Sequence, residues 1–250
     1  MKGKIKCIRP RTVCGIFLIP GFLFLFFANV YTQNQALADS LERILSDGNF
    51  AEQSYLKLLK ELAGNQTDPA KKLANSHQLI EAAEKSDSAV YLFSGFIEQG
   101  NAYRLIGDSP GALESYFQAA KIASDGALRG EAGSVNIAIA DVYSIMGDHG
   151  NAVDYYRSAI RILRQEQDSV NLASALLNLG DEYFNHGALD SALAYFQQSE
   201  ALFRALNYEI GIAYNLGNTG LVYAAQQKDR LARSQINEAI NYLESLQDYY

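Results

Sequence analysis

The sequence has 250 residues, of which 48% are hydrophobic, and it carries a formal net charge of −7. This hydrophobic content is ample for a core, and the small number of Pro residues, 4, together with the absence of Trp, favours helices over turn-rich sheets. Beyond residue 32 there are 16 Lys and Arg residues against 28 Asp and Glu residues. So negative a chain repels phosphate backbones, which argues against nucleic-acid binding.

The first predicted element is a basic segment followed by an apolar run over Ile16–Phe27. This pattern predicts a secretory signal peptide within residues 1–32, and therefore an exported protein, either periplasmic or membrane-associated. An uncleaved membrane anchor is the alternative, because the run counted from Val13 to Val30 reaches the lower length limit of a membrane span. The break at Pro20-Gly21 and the polar residues after the run favour the signal peptide. The positive charges are Lys2, Lys4, Lys6, Arg9 and Arg11.

Both cysteines, Cys7 and Cys14, precede this apolar run. The part of the chain that would be exported therefore has no thiol. A disulfide framework and a Cys-ligated metal site are both excluded there.

A period of 40 residues organises the rest of the chain. Small, aromatic and turn residues recur at this spacing in one common register, and the small residue of each unit is followed 16 residues later by an aromatic or apolar one. The columns are Gly100, Ala140, Gly180, Gly220; Tyr103, Tyr143, Tyr183, Tyr223; Gly107, Gly147, Gly187; Ala112, Ala152, Ala192, Ala232; and Tyr116, Tyr156, Phe196, Ile236. This pattern resembles the tetratricopeptide repeat family. The resemblance implies an all-α fold, a right-handed superhelical solenoid of antiparallel helix pairs.

The register divides the chain into a lead-in helix over residues 33–52 and five repeat units. In the first unit Lys72 and Ser76 replace the signature Ala and aromatic residue, as is typical of a terminal cap. The last helix has apolar residues without a following helix to cover them, so we expect the chain to be the front part of a longer protein. The alternative is that Ile236 and Leu243 close the domain. The predicted units are 53–92 (degenerate), 93–132, 133–172, 173–212 and 213–250 (incomplete).

Two packing features of the fourth unit follow from this register. Gly180 and Ala192 are predicted to form the closest contact between its two helices, with Tyr183 and Phe196 beside that contact. Gly187 is predicted to end the first helix, because glycine adopts a left-handed cap without strain.

The sequence contains no motif for nucleophilic, phosphate-binding or dinucleotide chemistry. His77, His149 and His186 lie in separate repeats, without a partner four residues away, and are interpreted as surface or helix-end residues instead of metal ligands. The adjacent acids Asp181 and Glu182 point in different directions on a helix and do not converge on one substrate atom. We therefore predict no catalytic residue, no metal site and no cofactor.

The predicted binding surface is a polar, mildly acidic concave face formed by the first helix of each unit. Asn101, Asp141 and Asp181 occupy the same repeat position, where the tetratricopeptide family lines its inner groove. A generic solvated helix face is the alternative for each single residue. The candidate binding residues are Asn101, Arg104, Asp141, Ser144, Asn178, Asp181, Asn185, Tyr214 and Asn218.

One known use of this fold, a clamp for the C-terminal carboxylate of chaperones, is disfavoured. Such repeats place Lys early in the first helix and Asn four residues later, and Asn101 meets only the second condition. The positions that require Lys hold Ile97, Ile137, Leu177 and Gly217.

The segment Gly211–Tyr223, together with Ile236–Ile240 and the final Asp248–Tyr250, resembles the N-terminal sensor half of bacterial membrane-bound adenylate/guanylate cyclases. The resemblance implies a membrane span and a cyclase domain beyond this chain. No metal-binding aspartate or purine-binding residue of a cyclase has a counterpart here, so no catalytic role is transferred.

These observations predict a non-catalytic sensor or interaction module that binds a protein or peptide. Contact with the membrane through an uncleaved N-terminal segment, and assembly into a homo-oligomer, are further expectations. Two alternatives stay open: a self-contained exported scaffold that assembles proteins, and an enzyme hidden in the groove, which lacks any convergent catalytic set.

Overall fold

The structure is a computed structural model that describes residues 35–48, 50–51, 54–125 and 128–247. These residues form helices and contain no strand. The predicted signal peptide or anchor, residues 1–32, lies outside them. Among the described residues no helix has both the length and the apolar composition that a membrane crossing requires. The helices are α1 (Gln35–Asp47), α2 (Tyr55–Asn65), α3 (Pro69–Lys85), α4 (Ala89–Leu105), α5 (Ser109–Asp125), α6 (Arg129–Ile145), α7 (His149–Glu166), α8 (Ser169–Asn185), α9 (Leu189–Ala205), α10 (Glu209–Ala225) and α11 (Asp229–Gln247).

From α2 onwards the helices form consecutive antiparallel pairs. We call α2, α4, α6, α8 and α10 the first helices and α3, α5, α7, α9 and α11 the second helices. From α4 on, each first helix packs against the second helix of its own pair and against the second helix of the preceding pair. Within the described ranges these contacts join neighbouring pairs, which is the architecture of a solenoid. The predicted all-α solenoid of helix pairs is confirmed.

Aspartate side chains fix several helix starts. Asp68, Asp108, Asp148 and Asp168 each accept a hydrogen bond from the backbone N–H three residues later. The bond satisfies one of the N–H groups that the first turn of a helix leaves without an intrahelical partner.

Glycine ends three of the first helices. Gly107, Gly147 and Gly187 have φ values of 81°, 76° and 75°, in the left-handed region. Glycine adopts this conformation without the steric cost that a Cβ imposes. The prediction that Gly187 ends its helix is confirmed.

The equivalent turn after α10 has Gln227 in the left-handed region, with φ of 59°. We expect Gln227→Gly to raise the free energy of unfolding by about 1 kcal/mol, because it removes the steric cost of a Cβ in this conformation. Urea unfolding measures the effect. The control is Gln226→Gly, since Gln226 has φ of −80° and gains nothing from glycine. Equal stabilisation by both changes would contradict the explanation.

The structure brings Phe196 directly onto Gly180. A Cβ built on Gly180 would lie 2.5 Å from Cε1 and 2.6 Å from Cδ1 of Phe196, so the ring that was predicted beside the contact with Ala192 packs against the glycine itself. A similar Cβ on Gly220 would lie 2.6 Å from Cγ1 of Ile236. The larger residue is thus seated directly on the small residue 16 positions earlier. The direction of its side chain along the helix axis, which sequence spacing alone does not define, places it there.

Candidate functional site

All the predicted binding residues lie on first helices, and the structure connects most of them to one another instead of leaving them open. Their exposure ranges from fully buried, for Asp141, to exposed, for Asn185. They are distributed as Asn101 and Arg104 on α4, Asp141 and Ser144 on α6, Asn178, Asp181 and Asn185 on α8, and Tyr214 and Asn218 on α10.

Two amide-to-carboxylate hydrogen bonds join successive first helices, and we call them the inter-repeat bonds. Asn178 Nδ2 donates to Asp141 Oδ1 at 3.2 Å, and Asn218 Nδ2 donates to Asp181 Oδ1 at 2.7 Å. In both bonds the partners are 37 residues apart in the sequence. This is three residues, or about one helical turn, fewer than the 40-residue repeat. These residues therefore hold neighbouring repeats in register, a role that the sequence did not suggest for them.

Second helices contribute tyrosine hydroxyls to the same network. The Tyr116 hydroxyl donates to Asn101 Oδ1 at 2.7 Å, and the Tyr156 hydroxyl donates to Asp141 Oδ1 at 2.6 Å. Both tyrosines belong to the aromatic column of the repeat and are buried. The repeat pattern indicated packing alone for these two tyrosines and gave no sign of the contacts of their hydroxyl groups.

Asp141 lies at the centre of this network and has no exposed surface. Burial raises its pKa to about 6, although the Arg104 guanidinium and the hydrogen bonds from Tyr156 and Asn178 act in the opposite direction. The Arg104 Nη1 atom lies 3.8 Å from Asp141 Oδ2, an ion pair longer than a hydrogen bond. Asp141 is thus a structural group beneath the predicted binding face, not part of its surface.

The raised pKa of Asp141 predicts how stability depends on pH. A carboxyl with a pKa of about 6 when folded and about 3.9 when unfolded binds its proton more tightly in the folded chain. Its contribution to stability is therefore fully present below pH 3.9 and is lost as the pH rises through 6. Relative to Asp141→Asn, we expect the unsubstituted protein to gain about 2–3 kcal/mol between pH 8 and pH 4.

Urea unfolding of both proteins across this pH range measures the difference. Asp148→Asn serves as the control, because hydrogen bonds from the Asn151 side chain and backbone lower the pKa of Asp148 and the trend should have the opposite sign. If the unsubstituted protein loses stability faster than Asp141→Asn on acidification, the ion pair with Arg104 dominates and the explanation is wrong.

A second cluster surrounds Glu182, which is only 2% exposed. His149 Nδ1 lies 2.8 Å from Glu182 Oε1, and His186 Nδ1 lies 3.3 Å from the same oxygen. The Ser144 hydroxyl donates to Glu182 Oε2. One buried carboxylate therefore holds two imidazoles and a hydroxyl that come from α6, α7 and α8.

The interpretation of His149 and His186 as separate helix-end residues needs correction. His149 begins α7 and His186 follows the end of α8, but the solenoid places these two ends side by side, with ring centroids 3.7 Å apart. The partner that the two histidines share is Glu182, which lies four residues before His186 and is neither a His nor a Cys. His77 is exposed on α3 and takes no part in the cluster.

The repeat position that Glu182 occupies indicates in the sequence that this residue has a special role. The same position in the other repeats holds Ala102, Val142 and Val222. A carboxylate in a buried apolar column has to be paired or hydrogen-bonded, because desolvation of an isolated charge is costly.

Comparisons with known proteins agree with the repeat pattern. The family model described as tetratricopeptide repeat matches residues 131–205. A search of curated proteins gives no match. BtubC from P. vanneervenii has a similar structure, with a TM-score of 0.74 and 18% identity over 86% of this chain and 93% of that one.

Two further solved structures share the fold. A signal transduction ATPase with a tetratricopeptide repeat sensor from Pyrococcus horikoshii has a TM-score of 0.65 and 15% identity, covering 84% of this chain and 35% of that one. Aspartyl phosphate phosphatase F from Bacillus subtilis has a TM-score of 0.61 and 16% identity, covering 87% of this chain and 51% of that one. At these identities the likeness concerns the fold, a right-handed superhelical solenoid of helix pairs. The resemblance to cyclase sensors stays a prediction.

Proposed function

We propose that the chain is a non-catalytic interaction module of the tetratricopeptide repeat type, whose first helices bind a protein or peptide. The inter-repeat bonds are the observation that carries this proposal. They hold consecutive first helices in one fixed register, so exposed groups on these helices are presented on a rigid surface, which lowers the entropic cost of binding. An extended partner could then contact equivalent positions of successive repeats.

The charge of the chain restricts the chemistry of this partner. Beyond residue 32 acidic residues outnumber basic ones, 28 against 16. Electrostatic complementarity favours a neutral or basic partner segment and disfavours an acidic one.

The finer proposal is that this module is the extracytoplasmic sensor of a membrane signalling protein whose cyclase-like output domain lies beyond this chain. The basic and then apolar N-terminus supports export. The resemblance of Gly211–Tyr223 to cyclase sensors, and the tetratricopeptide repeat sensor of the P. horikoshii signal transduction ATPase, support a sensor role. A partner that binds two curvatures of the solenoid with different affinity would shift the population between them.

Site-specific photocrosslinking tests the binding face. A photoreactive residue at Asn185 or at Leu221, both exposed on first helices, should capture the same protein or peptide in cells. The matched control is Gln118, which is exposed on the second helix α5. Capture that is equal at all three positions, or confined to Gln118, would refute the proposed binding face.

A reporter that is active only outside the cytoplasm, fused after Tyr250, tests the location. An active fusion that becomes silent when residues 1–32 are removed would support export. A stable but silent fusion of the full chain would place the repeats in the cytoplasm and exclude the extracytoplasmic sensor, without affecting the crosslinking result.

A further inference from the structure

We propose that His149, Glu182 and His186 form a binding site for a divalent transition-metal ion such as Zn²⁺. One ring nitrogen of each histidine and one carboxylate oxygen lie within 4.8 Å of one another. Two imidazoles and one carboxylate are a ligand set that Zn²⁺ and other divalent first-row metals accept.

The separations within the cluster require only small side-chain movements to accommodate an ion. Zn–N and Zn–O bonds of about 2.0–2.2 Å place tetrahedral ligand atoms about 3.3–3.6 Å apart. The two histidine nitrogens already lie 2.8 Å and 3.3 Å from the same Glu182 oxygen. Both imidazoles are partly exposed, so their rings can turn without disturbing the core.

A partner outside the ligand set holds the carboxylate in place. The Ser144 hydroxyl donates to the second oxygen of Glu182. Hydrogen bonds of this kind orient metal ligands and strengthen metal binding. The rigid carboxylate and the two partly exposed imidazoles leave a fourth coordination position toward solvent, as in open zinc sites.

His149, Glu182 and His186 all differ from the residues at the equivalent positions of other repeats, and all three lie at one junction between two helix pairs. At the position of His149 the neighbouring repeats have Ser109 and Leu189, and at the position of His186 the preceding repeats have Ile106 and Met146. Glu182 replaces Ala or Val in its own column. The helix packing of the other repeats forms without these groups, so packing alone does not account for them.

A metal ion at this place would join two repeats. His149 begins the second helix of one pair, and Glu182 and His186 belong to the end of the first helix of the next pair. The ion would therefore fix the angle between the pairs α6–α7 and α8–α9.

Titration of the purified protein with Co²⁺, followed by displacement with Zn²⁺, tests the site. We expect visible absorption characteristic of Co²⁺ bound to nitrogen and oxygen ligands, saturating at one equivalent and disappearing with Zn²⁺. His149→Ala and His186→Ala should each weaken Co²⁺ binding by at least about 10-fold. The matched control is His77→Ala, which changes an exposed histidine outside the cluster and should leave binding unchanged.

His149 and His186 are partly exposed, so the two alanine variants should keep the circular dichroism spectrum of the unsubstituted protein. Glu182→Gln is a secondary test, because it changes a buried group and could disturb folding. Zn²⁺ should raise the unfolding temperature of the unsubstituted protein and not that of the double variant His149→Ala/His186→Ala. The proposal is overturned if the unsubstituted protein does not bind Co²⁺, or if the double variant binds it with unchanged affinity. The cluster would then be a hydrogen-bonded junction only.

Discussion

Gly180→Leu is expected to destabilise the protein by about 3 kcal/mol, the upper part of the range for overpacked cores. Even a Cβ at this position would lie 2.5 Å from the Phe196 ring, and Phe196 is fully buried. The larger side chain must therefore separate α8 from α9 or displace the ring. The midpoint of urea unfolding measures the loss.

Gly217→Ala is the matched control for this prediction. Gly217 also lies in a first helix, but a Cβ there would meet no atom within 4 Å. Since alanine has the higher helix propensity, this change should be neutral or stabilise the protein by up to about 1 kcal/mol. If the urea midpoint of Gly180→Leu is unchanged, the close contact with Phe196 is wrong.

Lys72→Ala is expected to destabilise the protein by about 3–5 kcal/mol, the usual result of breaking a buried ion pair from one side. The Lys72 side chain is 1% exposed, and its Nζ lies 2.7 Å from the Glu98 carboxylate on α4. The same ammonium donates to the backbone oxygens of Ala63 and Gly64 in the last turn of α2. One side chain thus joins three helices. Its removal deprives two backbone carbonyls of this donor and leaves the Glu98 carboxylate with a hydrogen bond from Asn101 but no cation.

Lys71→Ala provides the comparison at the adjacent position. Lys71 is 55% exposed and forms a surface ion pair with Glu42, so its loss should cost less than about 1 kcal/mol. Lys72→Met separates volume from charge, because it keeps much of the packing and removes the donor. Similar unfolding midpoints for Lys71→Ala and Lys72→Ala would contradict the role assigned to Lys72.

The fold was predictable because its determinants are periodic. Glycine at a left-handed turn and an aromatic residue seated on a small one are local requirements, and they recur every 40 residues in the sequence. The 40-residue period does not define how far each side chain extends along its helix. For that reason the register predicted a close contact at Gly180 with Phe196 beside it, but not that the Phe196 ring lies directly against the glycine.

The candidate site was less predictable because its contacts join different repeats. Asp141 and Asn178 were correctly assigned to first helices, but the 37-residue offset that pairs them depends on how one helix pair stacks on the next. His149 and Glu182 are 33 residues apart and meet for the same reason. The degenerate first unit contains a similar contact between helices. Lys72 was interpreted from the sequence as a weakened signature position, but it is buried and its ammonium group is fully hydrogen-bonded.

The inter-repeat bonds also bear on how such a chain can grow or shrink during evolution. Asp141 and Asp181 occupy one repeat position, and Asn178 and Asn218 occupy another. Deleting the 40 residues 173–212 would therefore bring Asn218 opposite Asp141, and the same kind of bond could form again. Duplication of that segment would extend the series in the same way. The junction of His149 with Glu182 and His186 has no such equivalent. Loss of this unit would preserve the register but remove the junction, whereas duplication would place the second Glu182 and His186 beside Leu189 and add no new junction.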